Sequence, residues 1–347
     1  MKVLHLLRSN VFSGAENVVC QIIKFFSKTD IQMVYTSPKG PIQEALAEKN
    51  IDYLSLEKLG ITETMKLVQE YSPDVVHAHD VTASIVAALA CPKSIRIISH
   101  IHVNHANMAK INVKTLLYHS FSKRFDKIIW VSDSCYKEYR FKDKIAQKSI
   151  VLANVVDGED IQKRSELVKT ENYDIIYVGR LTAQKNPLKL LDVLERVIVK
   201  QSDVKIAVIG SGDMKEKVLE VAKEKKLLRH ITFYDFILNP LPYLKNAKVM
   251  VMTSKFEGLP MVALESLALG TPVVSTPVDG LKEVVENGLN GFLAEDSQAL
   301  ADKIFEIVSD EALRERLSKG AAKNFEKIND IANYRNQLDR IYRKYDG

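Results

Sequence analysis

The chain has 347 residues, 46% hydrophobic and 27% charged, with a formal net charge of +5. That length exceeds one ordinary core and suits two domains, and the composition excludes a disordered or fibrous chain. Cys20, Cys91 and Cys135 stand far apart without CxxC spacing, which argues against a disulfide framework and against a cysteine zinc site.

The longest unbroken apolar run, Ile85–Cys91, is too short to span a bilayer, and Met1-Lys2 leads into apolar residues without a signal-peptide pattern. A cytoplasmic location is the expectation. The charge is uneven: residues 1–157 hold 20 Lys+Arg against 15 Asp+Glu, and residues 158–347 hold 29 against 29.

Short apolar runs alternate with longer helix-like segments, the pattern of parallel strands with crossover helices. In the first half the expected strands are Val3–Leu7, Met33–Thr36, Asp52–Leu56, Val75–His77, Arg96–Ser99, Lys127–Val131 and Ile150–Leu152. In the second half they are Ile175–Val178, Lys205–Ile209, Ile231–Phe233, Val249–Met252, Val273–Ser275 and Gly291–Leu293. An α/β chain of two doubly wound, Rossmann-like domains follows, with the polar stretch Asp157–Asn172 read as a linker. Ligands of such sheets bind beyond the carboxyl ends of the strands, so a site is expected in the cleft between the two domains.

After the first strand, Ser13-Gly14-Ala15-Glu16 leads into a helix expected over Asn17–Phe26. Gly14 would admit a ligand close to backbone and Ser13 would cap the helix, so an anion or sugar contact and a plain strand-turn-helix are both open. Histidines gather at His77, His79, His100, His102 and His105. Alternation puts His100 and His102 on one side only if the strand continues, and no cysteine or dense carboxylate set is near. A sugar hydroxyl is the favoured partner and zinc the disfavoured one.

Residues 93–148 hold 12 basic against 4 acidic residues. Lys110, Lys114, Lys123, Arg124 and Lys127 surround the apolar Ile111, Val113, Leu116, Leu117, Tyr118, Phe121 and Phe125. The segment reads either as a solvated helix face or as a peripheral contact, through residues 110–127, with an anionic membrane surface or acceptor. No module for nucleic acid is present.

Past the strand ending at Val178, Arg180 and Lys185 are two cations fit for a pyrophosphate, or else a polar helix-start loop. The densest element is Glu257-Gly258-Leu259-Pro260-Met261, continuing to Glu265 and stopped by Gly270-Thr271-Pro272. Pro260 is read as a first helical residue, leaving the Met261 and Val262 amides at the positive helix end for an anion. Glu265 lies among Met261, Val262, Ala263, Leu264, Leu267, Ala268 and Leu269, so burial is expected and sugar hydroxyls would satisfy it. The bland alternative pairs Glu257 with Lys255 and Glu265 with a structural arginine. Apolar residues at 331, 334, 338, 341 and 342 predict a last helix that packs back on one of the domains.

Taken in order, Ser13-Gly14-Ala15-Glu16, His102, Gly179-Arg180…Lys185-Asn186-Pro187, Gly210-Ser211-Gly212 and Glu257…Glu265 resemble the group 1, family 4 retaining glycosyltransferases of GT-B fold. The resemblance implies domains at 1–157 (acceptor side) and 158–328 (nucleotide-sugar side), with helix 329–347 returning to the first. It implies Arg180 and Lys185 on the nucleotide diphosphate, Glu265 on the ribose, and Glu257 on the transferred sugar. It also implies backbone of Gly258, Leu259, Pro260 and Met261 on sugar and phosphate, and Phe236 and Ile237 at the base. Gly14, Ser13 and Glu16 would line the diphosphate or acceptor side, and His102 the donor sugar at the reaction centre. The substrate would be a nucleotide-diphosphate sugar, UDP being the commonest, with a glycan or lipid-linked acceptor and neither metal nor cofactor. Asp235, Val155 and Asp279 stand where the pattern commonly has glycine. Rivals are a nucleotide-sugar epimerase or hydrolase and a non-catalytic scaffold; absence of a Gly-x-Gly-x-x-Gly run after either first strand disfavours a dehydrogenase.

Overall fold

The structure is a computed structural model that describes residues 1–103 and 106–344; Asn104 and His105 of the histidine-rich run lie outside the described residues. It divides into two compact units, Met1–Val155 with Ile331–Gly347, and Val156–Asp330.

The first unit holds β1 (Lys2–Leu6), β2 (Gln32–Pro38), β3 (Tyr53–Leu56), β4 (Val75–His79), β5 (Arg96–Ile101), β6 (Lys127–Trp130) and β7 (Ser149–Val151). They form one parallel sheet in the order β3-β2-β1-β4-β5-β6-β7. A parallel sheet is covered on both faces, so its strands are largely apolar, and Val3, Leu4, Leu6, Val76, Ile97 and Ile98 are each 0% exposed. Helix Gly14–Phe26 buries Val18, Val19, Ile22 and Phe26, one stripe at helical spacing.

The last helix, Ile331–Arg343, belongs to this unit and buries Tyr334, Leu338, Ile341 and Tyr342. Its final carbonyls lack intrahelical donors, and Arg96 supplies them, donating to Ile341 O at 2.8 Å and Tyr342 O at 2.5 Å.

The second unit holds β8 (Tyr173–Val178), β9 (Ile206–Ile209), β10 (Ile231–Tyr234), β11 (Ala247–Met252), β12 (Val273–Ser275) and β13 (Gly291–Leu293). They too are parallel, in the order β10-β9-β8-β11-β12-β13. Its core joins Ile175, Val208, Val249 and Val274 of the sheet to Leu190, Leu194, Val197, Ile304 and Ile307 of helices Pro187–Lys200 and Ser297–Ser309.

The expected linker 157–172 is not one. Asp157 caps a helix, Gly158–Ser165, by accepting from the Asp160 amide at 3.0 Å, and Ile161 is buried. Both sheets reverse winding direction at their centre, between β1 and β4 and between β8 and β11. Connections leave such a pair in opposite directions, which opens a crevice at the carboxyl ends of the strands.

Candidate functional site

In the second unit that crevice is flanked by the loops after β8 and β11, which are tied together. Lys185 Nζ lies 2.5 Å from Glu257 Oε1, with side chains 15% and 5% exposed. The same oxygen accepts from Ser254 Oγ at 2.5 Å, and the Glu257 amide donates to Asp279 Oδ2 at 2.5 Å. Thr253 Oγ1 donates to the carbonyls of Lys185 and Asn186 at 3.2 and 3.1 Å, Gln184 Nε2 to Phe256 O at 3.1 Å, and the Lys255 amide to Gln184 O at 2.8 Å. Glu257 therefore pairs with Lys185, not with the exposed Lys255. A carboxylate this buried needs such partners.

Arg180 is exposed, with its guanidinium 3.5 Å from Gln184 Oε1 and no ion pair among the described residues. It is an uncommitted cation at the end of β8. Gly210, at φ +139°, packs beneath it: a Cβ there would stand 2.1 Å from Gly179 O. Across the crevice Gly280 donates to Gly258 O at 2.9 Å, and a Cβ on Gly280 would sit 2.0 Å from that oxygen. Gly258, Leu259 and Pro260 are buried in this clasp.

Two local expectations need correction. Helix Met261–Ala268 begins at Met261, and Pro260, with ψ 124°, is its N-cap rather than its first residue. The extended ψ is what a residue half outside the helix adopts. Glu265 is only half-buried, on a stripe with Val262 and Leu269 that is less covered than the Ala263, Leu264 and Leu267 side. Phe236, 54% exposed, and Ile237, half-buried, follow β10 at the sheet edge. With β9 between, they lie roughly 10 Å across the sheet from the end of β8.

In the first unit helix Gly14–Phe26 starts right after the loop from β1. Ser13 occupies the N-cap position but makes no side-chain cap bond; its hydroxyl donates to Glu16 Oε2 at 2.5 Å. Glu16, 3% exposed, takes that hydroxyl's one proton. A Cβ on Gly14 would meet nothing within 4 Å, so open space adjoins its backbone.

Five buried histidines, none more than 8% exposed, occupy this sheet: His5 on β1, His77 and His79 on β4, His100 on β5 and His102 one residue beyond it. The strand does carry on far enough to put His100 and His102 on one side, their ring centroids 4.0 Å apart. His79 is hydrogen-bonded on both nitrogens, Nε2 to His5 Nδ1 at 2.9 Å and Nδ1 to His102 Nε2 at 2.8 Å. His77 Nδ1 meets the Tyr342 hydroxyl at 2.9 Å. Burial disfavours the imidazolium, lowering His5 and His102 to about 3 and His77, His79 and His100 well below the usual 6.5. All five are neutral at physiological pH.

The family model for glycosyl transferases group 1 matches residues 158–324, and that for Glycosyltransferase Family 4 matches residues 12–160. The chain belongs to the group 1, family 4 glycosyltransferases. It is 26% identical over 317 residues to the uncharacterized glycosyltransferase MJ1059 of Methanocaldococcus jannaschii, covering 76% of this chain and 78% of that one. It is 27% identical over 303 residues to the capsular polysaccharide biosynthesis glycosyltransferase CapH of Staphylococcus aureus, covering 82% and 83%. The crystal structure of Anabaena Alr3699/HepE in complex with UDP superposes with TM-score 0.82 at 21% identity, over 99% of this chain and 100% of that one. The fold of this glycosyltransferase is therefore GT-B.

The structure brings Arg180, Lys185, Glu257, Gly258 and Met261 to one crevice of the glycosyltransferase's second unit, and Gly14 and His102 to strand ends of the first. Sequence reasoning missed Ser254, Gln184 and Asp279, which hold the Glu257 loop, and His5. The signal for His5 is its lone polar character in Val3–Leu7 and its register opposite His77.

Proposed function

We propose that this glycosyltransferase moves a sugar from UDP to a hydroxyl of a glycan or lipid-linked acceptor in cell-surface polysaccharide assembly, with retention at the anomeric carbon and without a metal. The observation that carries this is the tied crevice of the second unit, where an exposed Arg180 and the Lys185–Glu257 pair meet at the switch point. Arg180 and Lys185 hold the diphosphate, Glu257 and the backbone of Gly258–Met261 hold the sugar, and Glu265 reaches the ribose. Phe236 and Ile237 stand at about the distance of the base from the phosphates. That HepE was crystallised with UDP, and that CapH serves capsular polysaccharide biosynthesis, supports this donor and this role.

In the step itself the bond from C1 to the diphosphate oxygen breaks and a bond from C1 to the acceptor oxygen forms on the same face. The acceptor proton passes to the departing diphosphate, whose charge the two cations offset. His102 touches the donor sugar, Gly14 lines the diphosphate, and Ser13 and Glu16 line the acceptor side.

The lipid-linked acceptor and a station at the inner membrane face rest on residues 110–127. Ile111, Val113, Leu116 and Leu117 are 62%, 74%, 45% and 43% exposed, with Lys110, Lys114 and Lys123 exposed beside them. Among the described residues no helix is long and apolar enough to cross a membrane, so contact would be peripheral.

Turnover assays with a series of UDP-sugars, with EDTA and with or without sugar and polyprenyl-phosphate-linked acceptors, test the reading. Transfer only with acceptor, and a product whose anomeric coupling matches the donor, supports it. Donor consumption without acceptor supports an epimerase or hydrolase instead, and neither turnover nor binding supports a scaffold.

A further inference from the structure

We propose that His5 and His79 are positioning residues for His102, forming a relay that fixes which tautomer His102 presents to the substrate. The inference rests on the reading that His102 touches the donor sugar.

A neutral imidazole carries one N–H and one bare nitrogen. Both bonds of the chain join Nδ1 of one ring to Nε2 of another: His5 Nδ1 to His79 Nε2 at 2.9 Å, and His79 Nδ1 to His102 Nε2 at 2.8 Å. If His79 carries its proton on Nε2, His5 Nδ1 must be bare and His102 must carry its proton on Nε2 to donate to His79 Nδ1. If His79 carries it on Nδ1, the other two carry theirs on Nδ1 as well. The three rings share one tautomer, and a mixed set breaks a buried hydrogen bond.

Two consequences follow for His102. Its Nε2 is consumed by His79, so Nδ1, buried and without a partner among the described residues, is the nitrogen left for a ligand. Whether Nδ1 donates or accepts is set two strands away, on β1 and β4. Strand order makes this possible, because β1, β4 and β5 are consecutive neighbours in the sheet. The second bonded pair of the cluster, His77 with Tyr342, shares no hydrogen bond with the relay, although the His77 ring stacks on His79 with centroids 4.1 Å apart.

The same side chains could in principle form a metal site, since the ligand atoms of His5, His77 and His79, and those of His79, His100 and His102, lie within 4.8 Å of one another. The hydrogen-bonded reading is preferred because four ring nitrogens of these groups are already paired at 2.8 to 2.9 Å and no carboxylate in either group would offset a dication in a fully buried site.

The test is 15N NMR of histidine-labelled protein, with resonances assigned from single variants, alongside kinetics of His79→Leu, His77→Asn and His102→Asn. The expected spectrum shows His5, His79 and His102 in one common tautomer. His79→Leu should collapse the His102 pattern to fast-averaged shifts and lower kcat roughly tenfold to a hundredfold, with UDP affinity unchanged because the nucleotide is held by the second unit. His77→Asn, which removes the ring stacked on His79 but no bond of the relay, should keep the common tautomer of His5, His79 and His102, which separates positioning from packing damage. Mixed tautomers in wild type, which need no variant to fold, overturn the relay. So does stoichiometric zinc in the purified protein, or an unchanged His102 pattern in His79→Leu. If His102→Asn has no effect on transfer, the assignment of His102 itself fails.

Discussion

Arg180 and Lys185 are five residues apart, yet replacing them should have opposite signatures. Arg180 is exposed and, among the described residues, bound to no carboxylate, so Arg180→Ala should change stability by less than about 0.5 kcal/mol while losing most nucleotide affinity. Lys185→Ala leaves Glu257, 4% exposed, without its cation, and should cost about 3 kcal/mol, read by urea denaturation at pH 7. Equal losses for the two would contradict the geometry. Gly14→Ala faces open space, so it should fold as well as wild type and show any defect in turnover alone. Single side chains were only partly legible in the sequence. Residue type and spacing pointed to Arg180, Lys185 and Glu257, because few roles suit them at strand ends. Burial of Glu265 was misjudged, since a run of apolar neighbours does not say which side of a short helix faces the sheet. The Ser13 hydroxyl donates to Glu16 and accepts from no helix amide, a choice of rotamer that spacing does not resolve.

Elements were more legible. Each of the thirteen strands lies where an apolar run between turn residues put it, with ends shifted by up to two residues because the ladder runs on into polar positions such as His79. The helix Gly158–Ser165 was hidden, as Ile161 is its one buried large apolar residue and the rest reads as a polar linker. The clasp between the 257–260 and 278–280 loops was hidden too, since it is made of backbone. It predicts that Gly280→Ala, whose Cβ would stand 2.0 Å from Gly258 O, forces the two loops apart. The cost should be about 2 kcal/mol with a raised KM for donor, measured by thermal unfolding and steady-state kinetics. The helix Val113–Phe121 makes a separate prediction. Val113→Asp with Leu117→Asp should abolish co-sedimentation with vesicles of anionic phospholipid and leave turnover on a soluble acceptor intact. Binding that survives both changes would remove the membrane from the account.

At the scale of the whole chain the two units differ in their response to acid. Five buried histidines lie in the first unit and take up protons far less readily folded than unfolded. A group whose folded pKa is lowered binds more protons in the unfolded state, so its stabilisation is complete above the unfolded value near 6.5 and shrinks as pH falls below it. Each such histidine costs up to about 1.4 kcal/mol per pH unit, so five would exhaust the usual margin of about 5–15 kcal/mol within a few units. The first unit should unfold steeply between about pH 6 and 4.5 while the second persists, followed by Trp130 fluorescence, the one tryptophan being in the first unit. A shallow loss shared by both units would mean that the histidines are charged or hydrated when folded.

The switch point of the second sheet gathers Arg180, Lys185 and Glu257, which makes the donor site the centre of the proposed function. Calorimetric titration of UDP into wild type and Arg180→Ala, each with EDTA, tests it most directly. One site per chain is expected, insensitive to the chelator and weakened at least about tenfold in a variant that melts at the wild-type temperature. UDP binding of equal strength in both proteins, or none in a folded wild type, would contradict it.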